Sequence, residues 1–158
     1  MGMDPVSFAA SLLTLLGAAG QTCEFLYNFI HDISELPHEI RSQAVKLQCL
    51  HQQFSALVGL YSRDDLPPEL RLDPHLEQNL RNFLESVLNI QNRIQNISTR
   101  LHESRAHRLR ERVAWLSSDR RLRKFYSSLD EWMKIFSTAV STTQLFVTPN
   151  LRLPPLPY

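Results

Sequence analysis

Six histidines and two cysteines are the side chains of this 158-residue chain best suited to metal or nucleophilic chemistry, and their spacing supports neither. His31, His38, His51, His75, His102 and His107 are scattered, and none stands with another His, Cys or acid at the spacing of an HExxH zinc site. They read as surface or helix-end residues. Cys23 and Cys49 lie in helix-like segments without a CxxC pattern, so they read as reduced core thiols of an intracellular protein. The only glycines are Gly2, Gly17, Gly20 and Gly59, which rules out a glycine-rich phosphate loop, and no GxSxG elbow presents a serine. The expectation is a chain that is not an enzyme, with no catalytic, cofactor or metal site.

Charge is where the chemistry concentrates. Residues 1–40 hold five acids and no Lys or Arg, whereas residues 100–124 hold nine bases against three acids. Within that second stretch Arg105, Arg108, Arg110, Arg112, Arg120, Arg121, Arg123 and Lys124 are candidates for an anionic partner. Such a cluster neutralises phosphate on lipid head groups or on nucleic acid, or else forms a solvated corner between helices. Few aromatics interleave with it and no reading motif accompanies it, so nucleic acid is not the expected partner.

The opposite extreme is Pro5 to Cys23, nineteen consecutive residues without a charge. That length approaches the roughly twenty residues that cross a bilayer. Ser7, Ser11, Thr14, Gly17, Gly20, Gln21 and Thr22 make it marginal as a constitutive span, and no flanking base orients it. It reads as a central bundle helix at rest, with Val6, Phe8, Leu12, Leu13, Leu15 and Leu16 as candidates for membrane insertion on activation. The small residues from Ala9 to Gly20 permit close helix approach in either setting. The first basic residue is Arg41, so a secretory leader is not expected, and Val6 occupies the position where myristoylation wants Ser or Thr.

The elements that would position these groups are helical throughout. Length fits one domain, and 43% hydrophobic with 21% charged residues is an ordinary globular balance. Asp4-Pro5 caps a first helix over about 5–34, with Phe8, Leu12, Leu15, Leu16, Ala19, Cys23, Leu26, Phe29, Ile30 and Ile33 on its apolar side. A second follows Pro37 and carries Ile40, Ala44, Leu47, Leu50, Phe54, Leu57, Val58 and Tyr61. The RDDLPPELRLDP stretch is a loop, and Asp73-Pro74 starts a third helix with an unbroken seam from Leu76 to Leu101. Leu109 to Leu116 fall out of phase, then Ser117-Ser118-Asp119 caps a last helix with Leu122, Phe125, Leu129, Trp132, Phe136, Ala139, Thr143 and Phe146 in register. The fold expected is all-α, an antiparallel bundle of four long helices with room for a short fifth. Residues 1–3 are start residues, 4–147 the bundle, and 148–158 a proline-rich linker expected to lead to further domains.

The opening MDPVSFAASLLTLLGAAGQTCEFLYNFI, joined to ELPHEIRSQAVKLQCLHQQF, resembles the fungal N-terminal domain of STAND proteins, the HeLo-like family. Met3 to Ser7, Leu15 to Ala19, Pro37 to Ser42, Leu47 and Leu50 carry the likeness most specifically, and it extends more loosely through Leu122 to Leu129 to cover about residues 3–147. The resemblance implies an architecture similar to the four-helix bundle of the necroptosis pseudokinase and to plant resistance-protein coiled-coil domains. It implies a signalling effector domain of an NLR-like receptor that oligomerises and perturbs membranes in regulated cell death, with the first helix inserting. The partners implied are further copies of itself, an anionic membrane surface and downstream domains. The location implied is cytoplasmic, with conditional recruitment to membrane. A protein-protein or autoinhibitory adaptor without membrane activity is the alternative.

Overall fold

The computed structural model describes residues 5–33, 36–64, 74–98 and 119–147. Four helices fill these stretches, α1 (Pro5–His31), α2 (His38–Tyr61), α3 (Pro74–Ser98) and α4 (Arg120–Val147), and no strand occurs among the described residues. The all-α expectation holds. Residues 65–73 of the first long loop, the out-of-phase Leu109–Leu116 segment and the linker 148–158 lie outside the described residues.

Proline sets the starts. Pro5 and Pro74 each open a helix, where the missing N–H removes a donor that would have had no partner. Pro37 precedes α2, and its carbonyl accepts from the amides of Ile40 (3.0 Å) and Arg41 (3.1 Å). At α4 the predicted cap is present, the Leu122 amide donating to Asp119 Oδ1 at 3.0 Å. The first helix stops at His31, short of the expected residue 34, because the chain tightens there: Ile33 N–H reaches back only three residues, to Ile30. The turn still delivers Ile33 and Leu36 into the core.

Spacings of three and four place one face of every helix inside. Leu12, Leu16, Ala19, Cys23, Leu26 and Ile30 are buried from α1, and Leu47, Leu50, Phe54 and Leu57 from α2. The α3 seam is buried from Leu76 to Ile90, and α4 contributes Leu122, Phe125, Leu129 and Phe136. The α4 register fails at one predicted position. Phe146 is 55% exposed beside Leu145 at 60%, because the inward face ends one turn earlier at Thr143, whose hydroxyl donates to the Ala139 carbonyl.

The principal contacts run α1 on α2, α2 on α4, α1 on α3 and α3 on α4. Along α1 and α2 they run in opposite senses: Gly20 meets His51, while Ile30 and Ile33 share a recess with Arg41 and Ala44. Along α2 and α4 they ascend together, Lys46 to Asp130, Gln53 to the Met133 carbonyl, Phe54 to Phe136. Those neighbours run in the same sense, which departs from a bundle whose adjacent helices all alternate. Apolar periodicity defines each helix's inner face but carries no information about which faces meet.

Candidate functional site

Two surfaces stand out in sequence, and the structure treats them oppositely. The uncharged segment of α1 is turned inward. Leu12 and Leu16 are wholly buried, and Leu13 and Leu15 are half-buried against the core. The side chains of Val6 and Phe8 lie outside the described ones. Among the described residues no helix is long and apolar enough to cross a membrane.

Several polar details hold α1 in place. The Nδ1–H of His51, half-buried on α2, donates to the Gly20 carbonyl at 3.0 Å. A Cβ on Gly20 would meet His51 at 3.8 Å and Phe54 at 3.9 Å, so close approach is realised at this small residue, whereas Gly17 faces open space. His51 is thus an inter-helix clasp rather than a surface residue. A signal for this was present, since it stands four after Leu47 and three before Phe54, at the edge of the buried stripe. Thr22, buried, donates to the Ala18 carbonyl within its own helix. Burial alone pushes the Cys23 thiol far above its ordinary range, which leaves it protonated and unreactive.

The basic candidates face outward. Arg120, Arg121, Arg123 and Lys124 are all exposed on the opening turns of α4, while Arg105, Arg108, Arg110 and Arg112 lie outside the described residues. Four bases crowd a helix N-terminus with no acid in the first turn, an arrangement the helix dipole disfavours by ~0.3–1 kcal/mol for each charge near the end. Asp119 offsets part of this through its cap. The remaining positive potential suits an incoming anion.

The structure also forms an arrangement invisible in the sequence. Between α3 and α4 lies a groove of about 450 Å³ in which Ile90, Phe125 and Trp132 meet Arg121 and Lys124. Among the described residues no group of three or more His, Cys, Asp or Glu side chains is placed to hold a metal ion. Comparison with known proteins finds no matching family model, no matching curated protein and no matching solved structure.

Proposed function

We propose that this chain is a HeLo-like signalling effector domain of a fungal STAND, NLR-like receptor, cytoplasmic at rest. On activation it oligomerises and perturbs membranes to execute regulated cell death. The observation that supports this reading is α1, uncharged from Pro5 to Cys23 yet with Leu12, Leu16, Ala19 and Cys23 turned into the bundle. Exposing Leu12, Leu16, Leu26 and Ile30 together would cost roughly 6–12 kcal/mol at about 1.5–3 each. That is comparable to the ~5–15 kcal/mol stability of a whole domain, so α1 stays sheathed until a trigger or an assembly compensates. Because no described helix is long and apolar enough to cross a bilayer, the proposed action is shallow insertion by several copies. Insertion ends near Cys23, since burying Glu24 in lipid costs at least ~2.5 kcal/mol. The exposed bases of α4 supply the attraction to anionic lipid.

Vesicle leakage tests this. Leu13 and Leu15 are only half-buried, so Leu13→Gln with Leu15→Gln should preserve helicity, checked by circular dichroism, while cutting leakage from anionic vesicles several-fold. Undiminished leakage would remove α1 from the mechanism.

A second reading, an interaction or autoinhibitory adaptor without membrane activity, is favoured by the exposed Leu145 and Phe146 at the end of α4. Concentration-dependent self-association, lost on Phe146→Ser and accompanied by no lipid binding, would select it.

A further inference from the structure

Of the four principal helix contacts, α3 on α4 is the sparsest, and the groove of about 450 Å³ lies along it. Pockets of roughly 300–1,000 Å³ are the usual size for small ligands. Ile90, Phe125 and Trp132 make its walls apolar, and among the described lining residues Glu85 is the acid set with Arg121 and Lys124. The hydrogen-bonding inventory is lopsided. Ser86 and Ser128 also line the groove, but their hydroxyls already donate to the Phe83 and Phe125 carbonyls at 2.6 and 2.7 Å. The indole Nε1–H of Trp132 is buried without an acceptor among the described residues. Among the described residues the donors open to a visitor are therefore two cations, set against apolar walls with one carboxylate opposing, since the buried indole N–H has no accessible surface.

We propose that this groove binds one single-chain anionic amphiphile, its oxyanion head held by Arg121 and Lys124 and its acyl tail laid along Ile90, Phe125 and Trp132. An oxyanion supplies acceptors and no donors, matching what the groove leaves unpaired. An acyl chain supplies the apolar surface that the walls lack. A free phosphate would satisfy the cations and make no use of the apolar lining, of which Trp132 is the half-buried member. A zwitterionic head would set a third cation beside Arg121 and Lys124. The site needs neither α1 nor a bilayer but shares Arg121 and Lys124 with the membrane attraction proposed above, so a monomeric ligand, with no bilayer present, is what tests it separately.

The test is binding of monomeric lysophosphatidic acid, below its micelle concentration, to the intact chain. Isothermal calorimetry gives stoichiometry and affinity. Fluorescence of a Trp115→Phe variant, in which Trp132 is the sole emitter, locates the ligand. Expected are one-to-one binding and a shifted Trp132 emission, with lysophosphatidylcholine of the same tail at least tenfold weaker and inorganic phosphate without effect. Arg121→Ala with Lys124→Ala should weaken binding at least tenfold. Ser128→Leu, which adds bulk to the groove while keeping its charges, should do the same, and Glu85→Gln should tighten binding several-fold. Helicity checked by circular dichroism keeps these comparisons interpretable. Equal binding of the two lysolipids, indifference to the double substitution, or a signal only above the micelle concentration would each overturn the site.

Discussion

The attachment of α1 and the centre shared by α2, α3 and α4 both carry fully buried residues, yet they are built from different materials. The centre is aromatic. Phe54 meets Phe136 edge-on at 4.7 Å and Phe83 at 5.3 Å, and Trp132 stacks on Phe136 at 5.9 Å. Rings from three helices are thereby locked into one cluster, each pair contributing about 0.5–1.5 kcal/mol beyond its buried area. The fully buried residues of α1 are leucine, alanine, cysteine and isoleucine instead, with Phe25, Tyr27 and Phe29 half-buried against the core and the His51 clasp among its polar contacts to α2. On its other side, against α3, a groove of about 590 Å³ opens beside Ala18, Thr22 and Phe25. The difference teaches that equal burial does not mean equal commitment. The aromatic centre interlocks rings at set angles, whereas the fully buried face of α1 is aliphatic, and aliphatic contacts impose no direction.

The sharpest way to break this contrast is at the centre. Phe83→Ala removes a ring that touches α2 and α4 together and should cost about 3–5 kcal/mol, read from the urea midpoint. Leu16→Ala on α1 should cost about 2–5 kcal/mol, concentrated locally. Native-state hydrogen exchange should show α1 amides opening at lower free energy while those around Phe54 and Phe83 keep their protection. If both regions open together, α1 has no separate stability and the contrast fails.

Alkali probes both regions with native groups. The Cys23 thiol is raised by burial, and the Tyr126 phenol by burial first and then by the Asp119 carboxylate. Both therefore keep their protons in the folded state at pH values where the unfolded chain releases them, near about 8.5 and 10. The stability they contribute is whole below about pH 8.5 and declines as pH rises above it. Cys23→Ala should remove the earlier-onset part of that decline and leave the Tyr126 part, as measured by denaturation at stepped pH. The smallest expected effect is Gly17→Ala. It adds a methyl where nothing lies within 4 Å and should stabilise α1 by about 0.5–1 kcal/mol, seen as a rise in thermal midpoint.

What could be read from sequence follows the same division. Inner faces were legible because burial imposes the three-four spacing: every apolar position expected on α2 from Ile40 to Leu57 is buried, and the proline and Asp119 starts are in place. Phe146 obeys the spacing but extends past the end of the inward face, and periodicity has no means of saying where a bundle stops. The partnering of helices was equally hidden. The meeting of Ile90 with Arg121 and Trp132 depends on how α3 lies across α4, which neither helix encodes alone. Half of the basic candidates, Arg105 to Arg112, fall outside the described residues, so the outward-facing candidates whose placement is known are Arg120, Arg121, Arg123 and Lys124.

The same-sense pairing of α2 with α4 also bears on how the chain assembles. These neighbours are far apart in sequence, Tyr61 closing one and Arg120 opening the other, so closing the aromatic cluster requires a long excursion of chain. The hairpin of α1 and α2 needs only the short turn between His31 and His38. As the polypeptide is synthesised, that hairpin can therefore form first and screen the apolar side of α1. Phe54 then waits in solvent for Phe83 and Phe136 to arrive, which makes α2, rather than α1 with its uncharged opening, the segment most exposed to misassociation during biosynthesis.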